Sequence, residues 1–88
     1  MAEFMVREDG KNGTVEVLDD RIVRTFKKRI GKDDINTIPI KAVTSIHHDR
    51  KTVGTDIVHL QVGSAVTYEW KVKNAEQMVA AVQQAMFG

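Results

Sequence analysis

The chain has no cysteine. A disulfide framework and thiolate metal ligation are therefore excluded, and a reducing, cytoplasmic setting is the natural expectation. It also lacks charge of one sign, since thirteen basic side chains against twelve acidic ones leave a formal net charge of +1. No global field steers such a chain onto nucleic acid or an acidic membrane, so any contact of that kind has to come from a local patch. Apolar runs are only a few residues long, and none resembles a signal peptide or a membrane span. No catalytic, metal or nucleotide motif rises above background. What remains is 88 residues with 42% hydrophobic and 28% charged side chains. These proportions fit one globular domain able to bury a core without staples.

The clearest positive signal lies in the last quarter. Val66, Tyr68, Trp70 and Val72 alternate with Thr67, Glu69, Lys71 and Lys73, the period of a half-buried antiparallel strand. At Asn74 the period becomes helical. Asn74 is placed as N-cap with Gln77 three residues on, an arrangement in which each side chain satisfies a backbone donor. Ala75, Met78, Val79, Val82, Ala85 and Met86 mark one apolar face, which predicts an amphipathic helix over about residues 74–86 covering a sheet.

Upstream, Gly10, Asn12 and Gly13 read as turn formers, followed by a strand at 14–18, a reversal at Asp19-Asp20 and a strand at 21–28. A two-residue turn there sets Val17 opposite Ile22 and Val15 opposite Arg24, so Val15, Val17, Ile22 and Phe26 share the core face. Gly31, Lys32 and Asp33 form a loop. Ile35, Ile38 and Ile40 carry the next strand, and Pro39 marks it as an edge or a bulge. Residues 44–51 form another strand with Ile46 inward, and a loop follows around Gly54. In the last hairpin, 57–62 with 66–72, a two-residue turn would throw the two apolar rows onto opposite faces. Counting Ala65 into the loop aligns Val62 with Val66, Leu60 with Tyr68 and Val58 with Trp70, so an odd loop or bulge is predicted. Residues 1–9 are expected to be a partly ordered leader, in which Phe4 and Val6 either add a strand or lie loosely on the barrel, and 10–88 a single domain.

Gly10-Lys11-Asn12-Gly13-Thr14-Val15-Glu16-Val17 followed by Asp20-Arg21-Ile22-Val23 resembles the opening hairpin of small bacterial pleckstrin-homology-like domains. Thr37-Ile38-Pro39-Ile40 with Val43-Thr44-Ser45-Ile46, and the ending from Val66 through Met86, are similar to later parts of that family. The resemblance implies a mainly β domain with one C-terminal α-helix: a partly open antiparallel barrel, or two orthogonal sheets, of about six to seven strands. It implies no activity, because the family is largely of unassigned function and fold alone licenses none. Eukaryotic relatives commonly hold phosphoinositide head groups in the loop joining the first two strands. Here that loop reads as Asp19-Asp20, whose carboxylates repel a phosphate.

Two surface readings remain. Lys27, Lys28, Arg29 and Lys32 form a basic loop tip, which either contacts lipid or nucleic-acid phosphates or is simply solvated. Asp33 and Asp34 beside it and the lack of interleaved aromatics favour solvation and weigh against nucleic acid. Thr67, Glu69 and Lys71 face outward on the last strand, where a partner would meet them. His47 and His48 point to opposite faces of a strand and cannot share an ion without a bulge, so no metal ligation is expected. Ser45, Ser64 and the threonines have no neighbouring base, so no enzyme or small-molecule substrate is expected, and no cofactor. Arg24 falls on the core face and is expected to snorkel out at the rim, the alternative being a pair with a buried carboxylate. The sequence reading is thus a non-enzymatic module that binds a protein or peptide, or copies of itself, through a strand edge or a groove between an edge and the helix. The alternative is peripheral attachment to anionic membrane through the basic tip.

Overall fold

Strand parity and one switch to helical period account for nearly every element. In the computed structural model, which describes residues 2–27, 30–50 and 54–88, seven strands are seen among the described residues. They are β1 (Ala2–Glu8), β2 (Lys11–Val17), β3 (Arg21–Phe26), β4 (Asp34–Pro39), β5 (Val43–Asp49), β6 (Ile57–Val62) and β7 (Val66–Val72). A 3-10 turn at Ile40–Ala42 links β4 to β5, and α1 (Ala75–Phe87) ends the chain. The strands form one antiparallel sheet in the order β4-β3-β2-β1-β7-β6-β5. Its outer strands, β4 and β5, do not pair with each other, so the barrel is open, as the sequence predicts.

Val15, Val17, Ile22 and Ile38 from one half of the sheet and Val58, Leu60, Trp70 and Val72 from the other belong to a single buried cluster. The sheet must therefore bend until its inner faces meet. Helix α1 sets Ala75, Met78 and Val82 into this core and packs on β5, β2, β1, β6 and the 3-10 turn. The predicted registers hold. Val17 opposes Ile22 and Val15 opposes Arg24, while Val62 opposes Val66, Leu60 opposes Tyr68 and Val58 opposes Trp70. The left-handed residue that the three-residue loop needs is Gly63 at φ 64°, which spares Ala65 a conformation its Cβ disfavours. Pro39 lies on edge strand β4, where a missing donor costs no ladder bond.

Four expectations need correction. The stretch taken as a partly ordered leader is β1, which pairs with β2 along its whole length and with β7 at its end, burying Phe4 and Val6. The missed signal was Asp9-Gly10. Both residues take positive φ, 51° and 79°, the requirement of a two-residue hairpin turn compatible with strand twist. Consequently β2 begins at Lys11, and Asn12 and Gly13 lie in a strand instead of a turn. Ile35, an odd number of positions from Ile38, faces outward and is exposed, while Ile40 is buried in the 3-10 turn. The Asn74 side chain makes no capping bond; the helix start is held by the Met78 N–H donating to the Asn74 carbonyl at 3.0 Å. Lys51 and Thr52, part of the predicted strand end and loop before Gly54, lie outside the described residues.

Gly13 is in β2 because of what lies above it. A Cβ there would come within 2.6 Å of the Thr25 carbonyl and 2.7 Å of two Phe26 ring carbons, so the bare backbone is what lets the Phe26 ring lie flat over the sheet. Gly13→Ala is expected to destabilise the fold by about 1–3 kcal/mol through overpacking, read as a lowered urea midpoint. An unchanged midpoint would mean that Phe26 shifts freely.

Candidate functional site

The continuous sheet is thinnest where its halves join. β1 meets β7 at only two ladder pairs, Val6 with Val72 and Arg7 with Lys71, because β7 then ends and the chain turns into α1. Residues 2–5 of β1 therefore have β2 on one side and, among the described residues, no strand on the other. Beside this free edge runs a groove of 1190 Å³ whose walls include Glu3, Met5 and Arg7 of β1, Lys71 and Lys73, and Thr55 before β6. Met5 projects from the outer face there, 78% exposed. The far wall is tied down by the Val72 N–H donating to the Asp56 carbonyl at 3.1 Å and by a 2.8 Å contact between His48 Nε2 and Asp56 Oδ2.

Past the other end of the seam lies a polar cluster on the inner face. Arg24, only 8% exposed, does not snorkel. The alternative reading holds. Its Nε donates to Glu8 Oε1 at 3.0 Å, a terminal nitrogen donates to Glu8 Oε2, and another donates to Asp34 Oδ2 and Asn36 Oδ1, each at 3.3 Å. The guanidinium lies 4.4 Å from the centroid of the Phe26 ring and 5.5 Å from that of Tyr68, within cation–π range. Trp70, fully buried in the same core as Met78 and Val82, donates its indole N–H to Glu8 Oε1 at 2.9 Å. Glu8 thus joins β3 to β7, across the seam that only two ladder pairs secure. Sequence reasoning missed Glu8 because it fell in the supposed leader; its even position after Phe4 and Val6 was the available signal.

The predicted site residues scatter. Glu69 and Lys71 line the groove with β1, whereas Thr67 sits in a separate 350 Å³ depression with Glu8, Asp9, Tyr68 and Glu69. Strand β7 lies between β1 and β6 in the sheet order, but of these three only Lys71 pairs with β1; Thr67 and Glu69 pair with β6 alone among the described residues. Of the basic tip, Lys27 and Lys32 are exposed, and Lys28 and Arg29 lie outside the described residues. Ile30 beside them is 90% exposed. Asp34 turns to Arg24, which removes one of the two carboxylates expected to offset that tip. With β1 counted, the loop joining the first two strands is Asp9-Gly10, again a two-residue turn with a carboxylate and no room to wrap a phosphate. His47 and His59 oppose each other across β5 and β6 with ring centroids 5.8 Å apart, and His59 Nδ1 lies 3.2 Å from Glu69 Oε1. Among the described residues no group of three or more potential ligands could hold a metal ion. Among them, too, no helix is long and apolar enough to cross a membrane.

A seven-stranded, bent antiparallel sheet capped by one C-terminal helix defines a pleckstrin-homology-like domain, a class that generally serves as an interaction module. The chain belongs to the bacterial PH domain family, whose model matches residues 2–84. This match includes β1, in agreement with its place inside the sheet. No curated protein matches the chain.

The hydrogen bond from Arg24 holds the Glu8 carboxyl below its usual pKa against the upward push of partial burial, with the Trp70 bond acting in the same direction. The Glu8 carboxylate in turn raises the Arg24 pKa, which keeps the guanidinium charged. A carboxyl with a depressed folded pKa stabilises fully above its unfolded value, about 4.3, and progressively less as pH falls through the folded value. Glu8→Gln is therefore expected to cost about 2 kcal/mol at neutral pH, since Arg24 loses one of its two charged partners while largely buried. The difference from the parent should shrink in urea titrations below about pH 4; a gap independent of pH would show that Glu8 acts by shape alone.

Proposed function

We propose that this domain is a non-enzymatic interaction module that takes up an extended peptide along the free edge of β1. The observation that carries this reading is that residues 2–5 are ordered by β2 on one side and, among the described residues, have no strand on the other, in a groove that also presents an exposed Met5. An unpaired edge offers a row of backbone donors and acceptors that an added strand satisfies, while alternate side chains read the groove. The two outer strands of the sheet are less inviting. Strand β4 ends in Pro39, and β5 is packed by α1, two devices that blunt edge pairing. A cysteine-free chain suits this role in the cytoplasm.

A specific observation favours a second reading, peripheral attachment to anionic membrane. Ile30 stands exposed within a basic run whose neighbour Asp34 is engaged elsewhere, and an apolar side chain among cations suits the headgroup boundary.

Selection of random decapeptides against the whole domain, followed by amide shift mapping, tests the first reading. Bound peptides are expected to shift residues 2–7 and 71–74; shifts confined elsewhere would overturn it. For the second, vesicles containing phosphatidylserine should pellet the protein at low salt and release it at high salt, with Ile30→Glu abolishing retention. Retention unchanged by that substitution would remove the tip from consideration.

A further inference from the structure

On the outer face of the seam, the ladder sets Arg7 directly opposite Lys71, and Lys73, just past the end of β7, lines the same groove. Like charges directly opposed across strands are unfavourable, by a few tenths of a kcal/mol or more. Here they occupy one of only two pairs that hold the halves together. Nothing nearby relieves them: among the described residues none of the three cations has a carboxylate within ion-pair distance. The acidic groups that line the groove, Glu3, Asp9 and Glu69, make no ion pair with these cations. Glu69, the nearest along β7, is drawn to His59 Nδ1 at 3.2 Å; Asp9 sits in the tight turn; Glu3 lies four residues from Arg7, roughly 13 Å along an extended strand.

We infer that the extended peptide taken up along β1 is acidic. One of its carboxylates sits between Arg7 and Lys71, and a neighbouring apolar side chain packs on Met5. This rests on the β1-edge reading and adds the chemistry of the occupant. A carboxylate placed there accepts hydrogen bonds from two cations at once, and the planar fork of Arg7 favours a bidentate pair. It converts an unfavourable cross-strand contact into a favourable three-body one, so the arrangement is stabilised only when the ligand is present. Met5 supplies adaptable apolar contact one strand period away on the same face.

Decapeptides selected against the intact chain test this by fluorescence anisotropy. Each is compared with its counterpart in which Asp and Glu are replaced by Asn and Gln, and with the variants Arg7→Glu and Lys71→Glu. The expected result is that neutralising the acidic position, or reversing either cation, weakens binding roughly tenfold or more. The melting temperature of Arg7→Glu should not fall, because the substitution removes the like-charge pair. Peptides that shift the amides of residues 2–7 yet bind equally well after neutralisation would overturn the acidic specificity and leave the edge reading intact. Selected peptides that leave those amides unmoved would overturn both. A concentration-dependent dimer that protects the same amides would make a second copy the occupant and likewise overturn the inference.

Discussion

The two ladder pairs that join β1 to β7 are where this architecture is most constrained. A bent sheet of seven strands can bury Trp70, Leu60 and Ile22 together only if its two halves stay joined at that corner, and β7 leaves the ladder early to become the covering helix. The join is reinforced on the inner face by Glu8, which accepts from Arg24 of β3 and from Trp70 of β7. On the outer face it carries the Arg7 and Lys71 pair. The same early departure that thins the seam frees the edge of residues 2–5. The candidate binding edge and the structural weak point therefore have one cause.

The Arg24 cluster shows how polar groups are admitted to a small core. A guanidinium on the inner face would be costly if unpaired. Here Glu8, Asp34 and Asn36 accept its donors while Phe26 and Tyr68 cover its planar face. Replacing such a set by apolar residues need not destabilise a protein, so its value lies in position: Arg24 meets Glu8 properly only when β1 sits between β2 and β7. Gly13 belongs to the same device, because its missing side chain lets Phe26 lie where Arg24 can stack on it.

Most of the fold was legible because its signals are local and periodic. The registers of the hairpins at Asp19-Asp20 and at residues 63–65, the edge position of Pro39 and the span and apolar face of the helix all came from parity, turn length and spacing. Strand β1 was left undecided because Phe4 and Val6 make only a short apolar alternation, and the turn was read across Gly10, Asn12 and Gly13 instead of at Asp9-Gly10. That single omission also hid Glu8 and shifted the count by which the loop between the first two strands was found. The candidate site was legible only in part. Glu69 and Lys71 were rightly placed facing outward, but their neighbours in the groove, Met5 and Arg7, belong to the strand that was left undecided.

By itself the sequence determined which side chains face inward on each strand and where the helical period begins, because those depend on spacings of two and of three to four residues along one chain. Only the tertiary structure decided which strands are neighbours, that β7 joins β1 at its very end, that Arg24 finds Glu8, and that two cations meet at the seam. Those are pairings between residues far apart along the chain, such as Arg7 with Lys71. They are chosen by how a bent sheet and its helix enclose a common core, and no local periodicity encodes that choice.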